Sequence, residues 1–253
     1  MAANWRLSMR LAAAIPLAVA AALTIAAPSR ADEFTPEQKK AVEGIVHDYL
    51  LKHPEVLLDA IQAADDKMKK DAKDKAAKAL IERHHDIFDD PASPTGGNPH
   101  GDVTMVEFFD YRCPYCKQVE PALEKVIAAD RKLRFVYKEF PVLGPASITA
   151  ARAALAARKA GKYEAFHSAM MAARGQITDQ TVYDVAGKVG LDIAQLKKDM
   201  GAPEVDKELK ANLDLAEALD IRGTPAFIVG DQIIPGAVDL DTLKQLVADA
   251  RKK

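Results

Sequence analysis

Only two cysteines occur in the 253-residue chain, and they stand three positions apart in Cys113-Pro114-Tyr115-Cys116. Thiols this close cannot staple distant parts of a fold, so the pair points to redox chemistry rather than to a disulfide framework. A cycling dithiol needs one sulfur that ionises and attacks, and a second within reach to close the disulfide or resolve a mixed one. Cys113 falls at the junction of an apolar strand and a helix, with Pro114 where a first-turn proline is favoured. Unpaired backbone N–H groups and the positive dipole end stabilise a thiolate there, which assigns Cys113 the attacking and leaving role. Cys116, one turn further in, is then the resolving thiol. The competing use of a C-x-x-C is half of a structural zinc site, which requires two more Cys or His ligands. No third cysteine exists, and His47, His53, His84, His85, His100 and His167 supply no pair at ligand spacing. Neither a metal nor a dissociable cofactor is expected.

Two further positions belong with the dithiol. Glu107 interrupts the apolar run Val103-Thr104-Met105-Val106-Glu107-Phe108-Phe109, where an acid is costly unless it is paired or used. Six residues before Cys113, it is placed to sit beneath the dithiol and exchange a proton with Cys116 through water, its own pKa raised by desolvation. The plainer alternative is an ion pair, with Lys138 on the neighbouring strand as a candidate. Thr224-Pro225 opens a later strand, where proline is tolerated. A cis peptide there would expose the backbone of Thr224 to an incoming extended chain beside the dithiol.

The elements that position these residues read as strand 103–109, helix 114–130 and strand 133–140, then a helical tract. Helices are expected at about 147–160, 162–173, 179–189, 192–200 and 203–220, punctuated by Gly161, Gly175, Gly190 and Gly201. Ala226-Phe227-Ile228-Val229 and Gln232-Ile233-Ile234 form a hairpin across Gly230-Asp231, and an amphipathic helix from Asp239 to Lys252 closes the chain. This order describes an α/β domain, residues 99–253, with a helical insertion at about 145–221. Before it, residues 91–98 are turn formers and read as a linker. Residues 32–90 are helical: a first helix is opened by Thr35-Pro36-Glu37-Gln38 and broken at His53-Pro54. The second carries a thin, Ala-rich stripe from Val56 to Leu80, with Asp and Lys alternating on its other faces. That stripe is too weak to fold alone, so self-association of protomers through this segment is expected.

Composition narrows the function classes. With 49% hydrophobic residues, 35 basic and 37 acidic side chains, the chain is neither disordered nor a polybasic nucleic-acid binder. Arg6 and Arg10 precede an apolar stretch from Leu11 to Ala27, and Ser29-Arg30-Ala31 places small residues at the recognition positions. Residues 1–31 therefore read as a signal peptide cleaved before Asp32, which makes the mature chain an exported, periplasmic protein in a compartment that permits disulfides. Losing Arg6, Arg10 and Arg30 shifts the formal charge from −2 to −5.

The segment from Glu107 to Cys116, followed by Tyr137-Lys138-Glu139-Phe140-Pro141 and Gly223-Thr224-Pro225-Ala226-Phe227, resembles the thioredoxin-fold DsbA family of thiol–disulfide oxidoreductases. The resemblance implies a nucleophilic Cys113, a resolving Cys116, a proton-transferring Glu107 and a cis Pro225. Pro114, Tyr115, Thr224 and Pro225 are the expected client contacts. The N-terminal helices, with Tyr49-Leu50-Leu51-Lys52-His53-Pro54-Glu55, are similar to those of the suppressor-of-copper-sensitivity protein C group, some members of which oligomerise or have been tied to copper stress. Tyr115 and Thr224 replace the His and Val of the family's strong oxidant and are similar to the periplasmic isomerases. A neutral Tyr115 withholds the thiolate stabilisation that a protonated histidine gives, so a lower potential and a preference for isomerisation or reduction are expected. The partners expected are cysteine-containing exported clients, a membrane redox partner and further copies of the chain, with no nucleic acid. The alternatives are a dithiol oxidase that donates disulfides to exported chains, a copper(I)-binding protein and a chaperone.

Overall fold

The computed structural model describes residues 34–252, so the expected signal peptide lies outside the described residues. Helix α1 (Pro36–Lys52) begins as expected: Thr35 caps it, and its hydroxyl and the Gln38 side chain satisfy each other's backbone N–H groups. Helix α2 (Glu55–Glu82) follows the His53-Pro54 break. No helix among the described residues is long and apolar enough to cross a membrane.

The described residues contain five strands: β1 (Thr95–Gly97), β2 (Val103–Phe109), β3 (Leu133–Glu139), β4 (Ala226–Val229) and β5 (Gln232–Pro235). Their spatial order is β1-β3-β2-β4-β5. β2 and β3 run parallel, joined by α3 (Pro114–Ala129), while the other pairs are antiparallel. The central position of β2 explains its nearly continuous apolar sequence, since both faces are covered. Between β3 and β4 the chain inserts α4 (Pro145–Ala157), α5 (Tyr163–Ala172), α6 (Asp179–Lys188), α7 (Ile193–Met200) and α8 (Pro203–Ala218). α4 is rich in buried alanines, which lets its neighbours approach closely. The closing helix is α9 (Leu240–Ala250), capped by Asp239.

Two cores flank the sheet. Met105 and Phe109 of β2 point into a cluster with α3, the insertion and α9; Val106 and Phe108 point to the other face, with Ile87, Phe88, Leu215 and Leu219. The second core corrects the expected domain boundary. Residues 95–97, read as linker, pair with β3, and the N–H of Tyr137 donates to the carbonyl of Pro94. Arg134 and Arg158 reach the backbone carbonyls of Phe88 and Ala92, and a π-helical turn over His85–Asp89 buries Ile87 and Phe88. Gly97 has φ +66° and no room for a side chain: a Cβ there would lie 2.6 Å from the carbonyl oxygen of Leu133. The turn formers thus encode a bent edge strand. The chain divides instead inside α2, into a unit that ends at Ile61 and one spanning Gln62–Lys253.

Candidate active site

The apolar register of β2 carries the chain straight into the dithiol. Beyond Phe109, Asp110 turns the backbone: its buried carboxylate accepts from the N–H groups of Arg112, Val142 and Leu143 and from the Ser147 hydroxyl, at 2.8–3.0 Å. Its carbonyl accepts from the N–H of Cys113 at 3.0 Å. Cys113 is the N-cap of α3 in an extended conformation, and Pro114 occupies the first turn. Both cysteines are free thiols and buried, Cys116 completely. Tyr115 between them is 60% exposed, so its ring and Pro114 form the rim that an incoming chain meets.

Strand β4 brings the second half of the site. β4 pairs antiparallel with β2, and the Thr224–Pro225 bond that precedes it is cis. The Cys113 thiol donates to the carbonyl oxygen of Thr224 at 3.1 Å. Residues 111 positions apart are therefore joined at one sulfur, because β2 and β4 are neighbours in the sheet.

Glu107 lies on the face of β2 that packs beneath α3, because it alternates in step with Met105 and Phe109. It is fully buried, and neither carboxylate oxygen has a hydrogen-bond partner. Burial pushes its carboxyl well above the ordinary range, reinforced by Glu120, Cys113 and Glu139. Burial, then the charge of Glu107, pushes the Cys116 thiol up in turn. The buried acid and the resolving thiol are thus both held towards their protonated forms, and the charge of Glu107 opposes ionisation of Cys116. Lys138 is not the partner of Glu107. It stands in register with Phe108, faces the opposite core, and gives its ammonium to Ser93 at 2.6 Å and Asp90 at 3.3 Å.

The structure adds residues that spacing alone did not single out. The Lys117 ammonium, half-buried, donates to the carbonyls of Met170, Met171 and Ala173 at the end of α5, and burial lowers its pKa to about 8. Glu139 accepts from the Tyr111 and Tyr163 hydroxyls at 3.0 and 2.8 Å, and Tyr111 meets His167 Nδ1 at 3.1 Å. A lone histidine in the apolar stretch Phe166 to Met171, and the acid after Lys138, were the available signals. Among the described residues no cluster of three or more His, Cys, Asp or Glu could hold a metal ion.

A dithiol at a helix N-terminus after the central strand, faced by a cis-proline loop, defines a thioredoxin-fold oxidoreductase. The chain belongs to the DSBA-like thioredoxin domain family, whose model matches residues 104–248, and its residues 38–69 match the copper resistance protein ScsC N-terminal domain. It is 48% identical to a thioredoxin-like oxidoreductase from Silicibacter pomeroyi, whose structure covers 67% of this chain and 98% of its own at a TM-score of 0.66. A linker-deletion mutant of Proteus mirabilis ScsC is 30% identical over 87% of this chain and 98% of its own, with a TM-score of 0.66. A periplasmic thioredoxin-like protein from Salmonella enterica serovar Typhimurium is 37% identical over 67% of this chain and 96% of its own, with a TM-score of 0.59. The Na(+)/H(+) antiporter NhaA 1 of Salinispora arenicola is 27% identical over 182 residues, but the chain spans only 28% of that protein. That likeness is confined to a segment, and antiport is not carried over.

Proposed function

We propose that this thiol–disulfide oxidoreductase acts in the periplasm on disulfides of exported proteins, with isomerisation and reduction as its preferred directions. The observation that carries the proposal is the Cys113 thiol held at the N-terminus of α3 against the carbonyl of Thr224. The Cys113 thiolate attacks one sulfur of a client disulfide; an S–S bond forms between enzyme and client, and the other client sulfur leaves as a thiolate. In isomerisation a different client thiolate attacks the client sulfur of that mixed disulfide; a new client S–S bond forms, and Cys113 leaves as the thiolate it was at the start. In reduction Cys116 loses its proton to Glu107 and attacks Cys113, which closes the intramolecular disulfide and frees a reduced client. A membrane thiol reductant then returns both cysteines to thiols.

Three observations support the direction and the assembly. The exposed residue between the cysteines is the neutral Tyr115, so no cation from the dipeptide adds to the stabilisation of the thiolate. The periplasmic Salmonella relative supports the compartment. On α1, Val42, Ile45, Val46 and Tyr49 are exposed at i, i+3, i+4 and i+7, the stripe of a helix that packs on another copy. Several dithiols in one assembly would then face one client, and a role under copper stress follows from the same N-terminal match.

The test is reactivation of a scrambled disulfide protein by residues 32–253 at one fixed glutathione poise. Wild type is expected to reactivate it; Cys113→Ala is expected to fall to the buffer rate, and Cys116→Ala to accumulate mixed disulfides. Activity that survives Cys113→Ala overturns the mechanism. Rapid oxidation of a reduced client without reactivation makes the protein an oxidase.

A further inference from the structure

A client that brings a sulfur to Cys113 must lay the residues flanking its cysteine on the surrounding surface. On the cis-proline side that surface is a groove of about 820 Å3. One end is formed by Thr224 and Pro225, the loop whose carbonyl accepts from Cys113. Ile221, Ile233 and Pro235 line one side, and Met68, Ala72 and Ala76 of α2, each four residues apart on one helix face, line the other. Met68 is 61% exposed, whereas Ala79 and Leu80, about three turns further along the same helix, pack into the second core. All of these residues belong to one compact unit.

The charges on the groove form a second, independent pattern. Along α2, Lys67, Lys70 and Lys78 pair with the acid four residues on, whereas Lys75 makes no ion pair among the described residues. Lys69 and Lys73, which line the groove, make no ion pair among the described residues. Across from them Arg222 is committed to Asp220 at 2.7 Å. The groove is therefore apolar, with two uncommitted ammonium groups on its α2 wall and a carboxylate, Asp65, at one end of that wall. From Asp65 to Ala76 the helix rises roughly 16 Å at about 1.5 Å per residue, the length of about five extended residues.

We propose that this groove receives the extended client segment next to the reactive cysteine, so that the second half of α2 is a wall of the client site. The segment it fits is apolar with an acidic side chain opposite Lys69 and Lys73. The inference rests on the reading of Cys113 and Thr224 as the point of exchange. It differs from that reading in giving the helical arm a direct part in client selection.

The test compares two substrates on residues 32–253: glutathione disulfide, which reaches only the dithiol, and a fluorescent peptide disulfide whose cysteine is flanked by five apolar and acidic residues. Ala72→Arg, which fills the groove, is expected to raise KM for the peptide about tenfold and leave glutathione disulfide turnover unchanged. Lys69→Glu with Lys73→Glu, an exposed change that keeps the fold, is expected to lower kcat/KM for the acidic peptide about tenfold and to favour a lysine-bearing peptide instead. Unchanged peptide kinetics in both variants overturn the inference while exchange chemistry stands, and so does an equal loss on both substrates, which would place the effect at the dithiol. Failure of the wild-type chain to turn over either substrate overturns the exchange reading itself.

Discussion

Helix α1 and strand β2 are both rich in apolar residues, and they use them in opposite ways. Six of the seven β2 residues are buried, consumed by α9, the π-helical turn over His85–Asp89 and the strands on either side. α1 buries none of its 17 residues, and Ile45, Tyr49 and Leu51 are 69%, 51% and 70% exposed. α1 is nonetheless well specified locally, with its capping box, first-turn proline and terminal lysine. Local coding can make a helix without giving its surface a partner. The thioredoxin unit is complete in its core and carries the chemistry; the arm carries surface whose proposed partner is another copy.

The comparison is tested most strongly by the same substitution made in both environments. Asp90 pairs with Lys138, whose side chain is 1% exposed, while Asp71 pairs with Lys67, 75% exposed. Asp90→Ala strands a buried ammonium and is expected to cost about 3 kcal/mol, the low end for breaking a buried pair because Ser93 still accepts from Lys138. Asp71→Ala is expected to leave the urea midpoint unchanged. Equal midpoints for the two variants would mean that the segment before β1 is not anchored as described.

Glu107 sharpens the contrast within the catalytic unit, since it is the buried acid that structure alone would remove. Glu107→Gln is expected to slow closure of the Cys113–Cys116 disulfide by about 10²-fold, the scale of a lost proton acceptor. It should also stabilise the fold at neutral pH. The folded carboxyl holds its proton to higher pH than the unfolded one, whose pKa is near 4.5, so wild-type stability falls as pH rises above that value. The glutamine variant lacks this loss. The difference in urea midpoint between the two should therefore widen from pH 4 to pH 7, and a constant difference would show that Glu107 does not titrate abnormally.

Much of this site is legible in the sequence because strand and helix periods are local. Glu107 stands out against Val106 and Phe108, Cys113 and Pro114 mark a helix start, and Thr224-Pro225 marks the entry to a strand. What spacing cannot supply is facing. Lys138 was as good a partner for Glu107 as any until strand parity placed them on opposite faces of the sheet. The turn formers at 91–98 concealed β1 because three residues with two glycines carry no strand pattern, and their pairing with β3 depends on a contact about forty positions away. His167 and Glu139 are bridged by the Tyr111 hydroxyl, a long-range polar network with no periodic signature.

The smallest effect on stability is expected where the arm is changed. Ile45→Lys and Leu58→Lys place charge on side chains that are 69% and 68% exposed, so the unfolding midpoint of the thioredoxin unit should move by no more than about 0.5 kcal/mol. Their effect should lie in assembly: light scattering is expected to show a lower mass, glutathione disulfide turnover to persist, and reactivation of scrambled protein to fall. Point variants are better suited to this than truncation near Asn98, which would remove β1 from the sheet and Ile87 and Phe88 from the second core, and leave Lys138 without Asp90 and Ser93. A full-length chain that keeps its mass with both substitutions would rule out this stripe as the interface between copies. Reactivation lost at unchanged mass would instead make the exposed arm a client surface.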